Sequence, residues 1–168
     1  MSRPRVALTV GDPAGIGPEV VLKALASPGR PEADWVVYGP LVALRDRSDR
    51  FDLTPPDALG CEVVDVGGGP FPIGVVSGVA GEAAAAAVLS AARDARAGRV
   101  AGVVTAPLHK EALRAAGHPW PGHTEMLAEA AGARDVAMMF VGGGLRVALL
   151  TIHIPLRSVP DDGPASRT

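Results

Sequence analysis

The sequence predicts an α/β fold, a mixed sheet flanked by helices, and three observations carry that expectation. Short runs of branched or apolar residues at 6–10, 35–38, 61–66 and 100–105 alternate with segments of helical pattern. Glycine and proline separate them at almost every junction. Two later apolar runs, 136–141 and 145–152, bracket Gly142-Gly143-Gly144, a spacing that suits a hairpin and adds an antiparallel pair.

Residues 6–10 read as a first buried strand, because β-branched side chains suit an extended backbone. The following helix has Pro18 near its start, where a missing N–H costs no internal bond, and Glu19 in the first turn, where a negative charge meets the helix dipole. Val20, Leu22 and Leu25 give it an apolar face, and Ser27-Pro28-Gly29 stops it. Residues 35–38 form the second strand, 41–47 a short helix, 50–57 an irregular stretch and 61–66 the third strand. Gly67-Gly68-Gly69-Pro70 ends that strand, since neither regular element tolerates it. Residues 78–97 form the strongest helix, with Ser77 as a cap and an alanine block at 83–87 that leaves its surface slim. Residues 100–105 give the next strand, and 109–116 and 124–131 two further helices.

Composition narrows the function classes. The 168 residues suffice for one core without metals or disulfides. The 48% hydrophobic and 4% aromatic content makes valine, alanine and leucine supply the packing. A net charge of -2 offers no nucleic-acid footprint. One cysteine, Cys61, has no internal disulfide partner, which fits a cytoplasmic setting. The first residues lack a signal peptide's apolar middle, and 145–152 is too short to span a bilayer, so no membrane role is expected.

Candidate chemistry sits in four places. Gly11-Asp12-Pro13-Ala14-Gly15-Ile16-Gly17-Pro18 invites a phosphate-loop reading, but a third glycine of the dinucleotide pattern is absent, as is a Gly-Lys-Ser/Thr. A tight structural turn competes with direct phosphate contact there, and Asp12 can orient a ligand or brace the loop. Thr105-Ala106-Pro107-Leu108-His109-Lys110 follows a strand end, where α/β proteins bind ligands. Lys110 can neutralise an anion or be a solvated lysine at a helix start, and His109 can cap that helix. Gly122-His123-Thr124-Glu125 offers His123 and Thr124 as a ligand clamp, with Thr124 alternatively capping the next helix. His153 closes an apolar run and can present a ring nitrogen to a divalent metal or serve as a hydrogen-bonded structural residue. Ser77, Ser166, Cys61 and Arg146 lack an activating context.

Taken together, these segments and residues 145–157 resemble, in order and spacing, the 4-hydroxythreonine-4-phosphate dehydrogenase family of pyridoxal-phosphate biosynthesis. The resemblance runs from about residue 5 to residue 159 and looks like the family's N-terminal half. It implies an incomplete isocitrate-dehydrogenase-like fold, NAD and a divalent metal such as Zn, Mg or Co as cofactors, and a homodimer. The implied substrate is a phosphorylated hydroxy-amino acid, oxidised and then decarboxylated. His123 and Thr124 match substrate-binding positions and His153 one of three metal-binding histidines; Lys110 matches a polar position of catalytic interest. Which residues would hold NAD stays unknown.

The resemblance assigns 1–159 to the family's fold and leaves 160–168 as a polar tail unlike it. The missing partner histidines suggest a chain inactive by itself. A dehydrogenase of phosphorylated threonate or erythronate and a nonenzymatic binding module are the alternatives.

Overall fold

The structure is a computed structural model that describes residues 3–152 and 154–162. It divides into two compact units, Met1–Gly132 and Ala133–Thr168.

The first unit is built on four parallel strands, β1 (Arg5–Thr9), β2 (Asp34–Gly39), β3 (Glu62–Asp65) and β4 (Gly102–Thr105), in the order β3-β2-β1-β4. The register pairs Leu8 with both Val37 and Val104, and Thr9 with both Tyr38 and Thr105. Successive side chains of a strand point to opposite faces, so the central strands β1 and β2 feed two cores. Leu8, Val10 and Val37 meet Val21, Leu22 and Leu25 of helix α1 (Gly17–Ala26) and Leu44 of helix α2 (Leu41–Phe51) on one face. Ala7, Val36 and Tyr38 meet Ala87 and Ala91 of helix α3 (Gly78–Arg96) on the other. Fully burying a valine or leucine side chain stabilises by roughly 1.5–3 kcal/mol, so the branched runs in the sequence hold the layers together.

α3 is the central helix. Ser77 caps it, its hydroxyl accepting from the Ala80 N–H at 3.2 Å. Helices α4 (Lys110–Ala115) and α5 (His123–Ala131) pack on its outer side through Ala85, Val88, Leu113 and Met126. A Cβ on Gly81 would lie 1.9 Å from the Ala112 carbonyl oxygen, so the absence of a side chain is what lets α4 approach so closely. At the far edge of the α3 face the Tyr38 hydroxyl donates to Asp94 at 2.6 Å. Burial first, and then Asp94, push the phenol up to about 12. Arg99, followed by Tyr38, holds the Asp94 carboxyl below the usual range.

The second unit contains an antiparallel hairpin, β5 (Met139–Gly142) with β6 (Leu145–Ala148), in the register Phe140–Val147. Its two-residue turn, Gly143-Gly144, has φ of 53° and 83°, the positive pair that a tight hairpin turn requires. Short helical turns follow at Leu156–Ser158 and Val159–Asp162.

Two expectations change here. The α/β class with a helix-flanked sheet holds, but the expected mixed sheet is, among the described residues, a purely parallel sheet and a separate two-stranded antiparallel one. The glycine turn satisfies the hairpin's own pairing and does not require an edge of the larger sheet. The second hairpin strand also ends at Ala148 instead of residue 152. The helix expected over 41–47 runs on to Phe51, because Ser48 and Arg50 continue the helical pattern.

Candidate functional site

All four parallel strands end at one edge of the sheet. The chain leaves β1 for β2 on one side, while β4 lies on the other. That reversal makes the ends of β1 and β4 the position at which open α/β sheets commonly bind ligands. The two loops singled out by sequence meet there. Ala106 N–H donates to the Thr9 carbonyl at 3.0 Å, and Asp12 N–H donates to the Pro107 carbonyl at 2.9 Å.

The contact explains Gly11. Its φ is +71°, and a Cβ there would lie 2.2 Å from the Pro107 oxygen and 2.7 Å from the Ala106 oxygen. Asp12 is buried and turns its carboxylate back on the loop, accepting from the Ala14 N–H at 2.9 Å. A carboxylate spent on its own loop favours the structural reading of this segment over phosphate contact. Arg47, fully buried on α2, donates to the Pro13 carbonyl at 3.1 Å and pairs with Asp46. It braces the loop from behind.

Sequence reading missed Arg47, although a signal was present. Ala43, Leu44, Arg47 and Ser48 are the buried set of α2, so helical spacing already placed Arg47 on the apolar face.

Beyond β4, His109 occupies the position before the first helical residue of α4, with extended φ and ψ. It makes no side-chain cap bond, and its Nδ1 is buried without a partner among the described residues. Lys110 opens α4 and is exposed. It can present its ammonium to an anion at the strand end, and its exposure equally fits solvation.

α5 begins at His123, with Gly122 before it and no side-chain cap. Thr124 therefore lies inside the first turn and does not cap, which leaves its hydroxyl available for other contacts. The His123 ring is half-buried, and its Nε2 is buried without a partner among the described residues. Burial holds its pKa below the ordinary histidine value, so the ring is neutral near neutral pH. A neutral imidazole nitrogen with no protein partner can accept or donate one hydrogen bond to a ligand.

Lys110 and His123 thus open two helices that share one packing cluster on α3. His153 lies outside the described residues. Its sequence neighbours Ile152 and Ile154 line a groove of about 400 Å³ in the second unit. Among the described residues no three His, Cys, Asp or Glu side chains stand together as a metal site. No described helix is long and apolar enough to cross a membrane.

Comparison with known proteins gives the geometry a context. The family described as pyridoxal phosphate biosynthetic protein PdxA matches residues 34–163. A 4-hydroxythreonine-4-phosphate dehydrogenase from Synechocystis is 41% identical over 175 residues, covering 95% of this chain and 50% of that protein. A Bradyrhizobium diazoefficiens protein provisionally named D-threonate 4-phosphate dehydrogenase is 38% identical over 95% of this chain and 51% of its own length. The crystal structure of a 4-hydroxythreonine-4-phosphate dehydrogenase from Klebsiella pneumoniae matches with a TM-score of 0.85 at 35% identity, over 95% of this chain and 53% of that one. The chain spans about half the length of the curated relatives it matches.

Proposed function

The chain belongs to the pyridoxal phosphate biosynthetic protein PdxA family, and from that membership we propose that it carries the substrate-binding share of an oxidoreductase acting on 4-phosphooxy-threonine. The full reaction in this reading is NAD-dependent oxidation of the secondary alcohol followed by decarboxylation, in the cytoplasm, by a homodimer. In this reading residues 1–159 are the family's fold and 160–168 a tail, of which the family match takes in 160–163.

The single observation that carries the site assignment is the half-buried His123, whose Nε2 has no partner among the described residues, at the position the family resemblance gives to substrate. His123 binds a substrate oxygen through that nitrogen, and because its ring is neutral it can do so without adding charge. Thr124, in the same helical turn, supplies a second contact through its hydroxyl. Lys110 offsets the substrate's negative charge from the first residue of α4. These groups bind and orient; placing a reacting carbon within reach of a hydride acceptor is worth several kcal/mol of barrier.

The described residues do not fit a divalent metal by themselves. His153 remains our proposed metal ligand. We further propose that the 168 residues alone bind substrate without turning it over.

The test uses the purified chain of verified length. Calorimetry should show binding of 4-phosphooxy-threonine that His123→Ala and Thr124→Val each weaken. NAD reduction with added divalent metal should be absent. No binding by the wild-type chain would sink the substrate assignment, and robust metal-dependent NAD reduction would overturn the claim of inactivity. A second reading, oxidation of phosphorylated threonate or erythronate, is supported by the Bradyrhizobium relative's name. Tighter binding of 4-phosphothreonate than of 4-phosphooxy-threonine would favour it. A protein partner bound in place of either small molecule would favour a nonenzymatic module.

A further inference from the structure

The segment between α4 and α5, residues 116–121, is held by three helices at once. The His118 N–H donates to the Leu113 carbonyl of α4 at 3.0 Å. Its ring Nε2 lies 2.9 Å from a carboxylate oxygen of Glu82 on α3. The same ring stacks on Trp120, with centroids 5.0 Å apart and planes 19° from parallel. Trp120 in turn donates its indole N–H to Glu129 on α5 at 2.7 Å. Two aromatic rings are therefore pinned between two carboxylates on different helices.

This clamp ends directly at the candidate site. Gly122 follows it, with φ -178° and ψ -166°, extended values that any residue adopts. A Cβ on Gly122 would meet only a Glu125 carboxylate oxygen, at 3.7 Å. Neither backbone strain nor a close approach fixes that residue, and α5 opens without a side-chain cap. Met126 anchors the body of α5 on α3, and the segment before the helix sets how the chain enters its first turn at His123 and Thr124. We propose that His118 and Trp120 are positioning residues that hold His123 and Thr124 in their ligand-binding placement, with Glu82 and Glu129 as their anchors. This rests on the reading of His123 and Thr124 as substrate contacts. A ring whose unpartnered nitrogen is buried is sensitive to small displacements, since a slight opening admits water. The stack and the two hydrogen bonds oppose that opening.

The test follows the His123 imidazole in the full 168-residue chain by nitrogen-15 NMR, assigned by its loss in His123→Asn. His118→Leu removes the Glu82 contact and the stack. It should move the His123 titration midpoint up toward the ordinary histidine value and weaken 4-phosphooxy-threonine binding about two- to tenfold, the loss expected for one net hydrogen bond. His118→Gln keeps a donor to Glu82 and should restore part of both. Trp120→Phe keeps the stack, loses the indole N–H and should show a smaller shift of the same sign. If His118→Leu fails to fold, Glu82→Gln and Glu129→Gln decide the matter, because both change only a polar end. An unmoved His123 midpoint in folded variants overturns the proposal, whatever happens to affinity. Should the wild-type chain bind no phosphorylated ligand, the substrate assignment fails while the midpoint still decides the positioning role.

Discussion

Gly11→Ala tests whether the two loops at the strand ends form one structural unit. The substitution incurs two costs. At φ +71° an alanine enters the left-handed region, worth roughly 1–2 kcal/mol. Its methyl group would also sit 2.2 Å from the Pro107 carbonyl oxygen, which is backbone and cannot swing away. Forcing such an overlap costs typically about 1–3 kcal/mol. The sum, about 2–5 kcal/mol, is a large share of the roughly 5–15 kcal/mol that stabilises a domain. Gly60→Ala separates the two terms: its φ is +62°, yet nothing lies within 4 Å of the added carbon. It should cost only the roughly 1–2 kcal/mol of the backbone term. Urea unfolding measures both variants. With a slope of about 2 kcal/mol per molar, a loss of 3 kcal/mol moves the midpoint by about 1.5 M. Hydrogen exchange at Asp12 should accelerate in Gly11→Ala and stay unchanged in Gly60→Ala, because the Asp12 N–H donates to Pro107. Equal losses in the two variants would refute the packed-loop account.

Other outcomes follow from the same contacts. Arg47→Met should cost about 1–3 kcal/mol in urea unfolding, since the Pro13 carbonyl loses its buried donor. Tyr38→Phe should cost about 1 kcal/mol by removing the hydroxyl that donates to Asp94. Because the folded phenol is raised to about 12 from 10, its contribution is complete below pH 10 and is lost as pH rises through 12. A spectrophotometric titration against the Phe variant reads that loss directly. His123 behaves oppositely: its folded pKa is depressed, so stability present above the ordinary histidine range falls as pH drops through the folded value. His123→Asn should flatten that slope in denaturation measured across acidic pH. The hairpin carries exposed Phe140, Val141 and Leu145, and Val141→Thr with Leu145→Lys should reduce self-association in sedimentation runs.

Sequence alone determined much of this protein. Alternation of branched runs with helical segments located β1 to β4, and the alanine block with Ser77 located α3 and its cap. Gly143-Gly144 announced the hairpin. These are local signals: periodicity, capping and turn chemistry act within a few residues. Motif order likewise pointed to the family. Tertiary structure decided what local signals could not carry. It set the strand order β3-β2-β1-β4, and so put the loops after β1 and β4 side by side although some 95 residues separate Gly11 from Pro107 in the chain. It turned Asp12 inward onto its own loop and buried Arg47 behind it. It joined His118 to Glu82 across 36 positions. It also kept the hairpin as its own sheet among the described residues. Each of these depends on which surfaces meet, and that is settled by packing between elements, not within them.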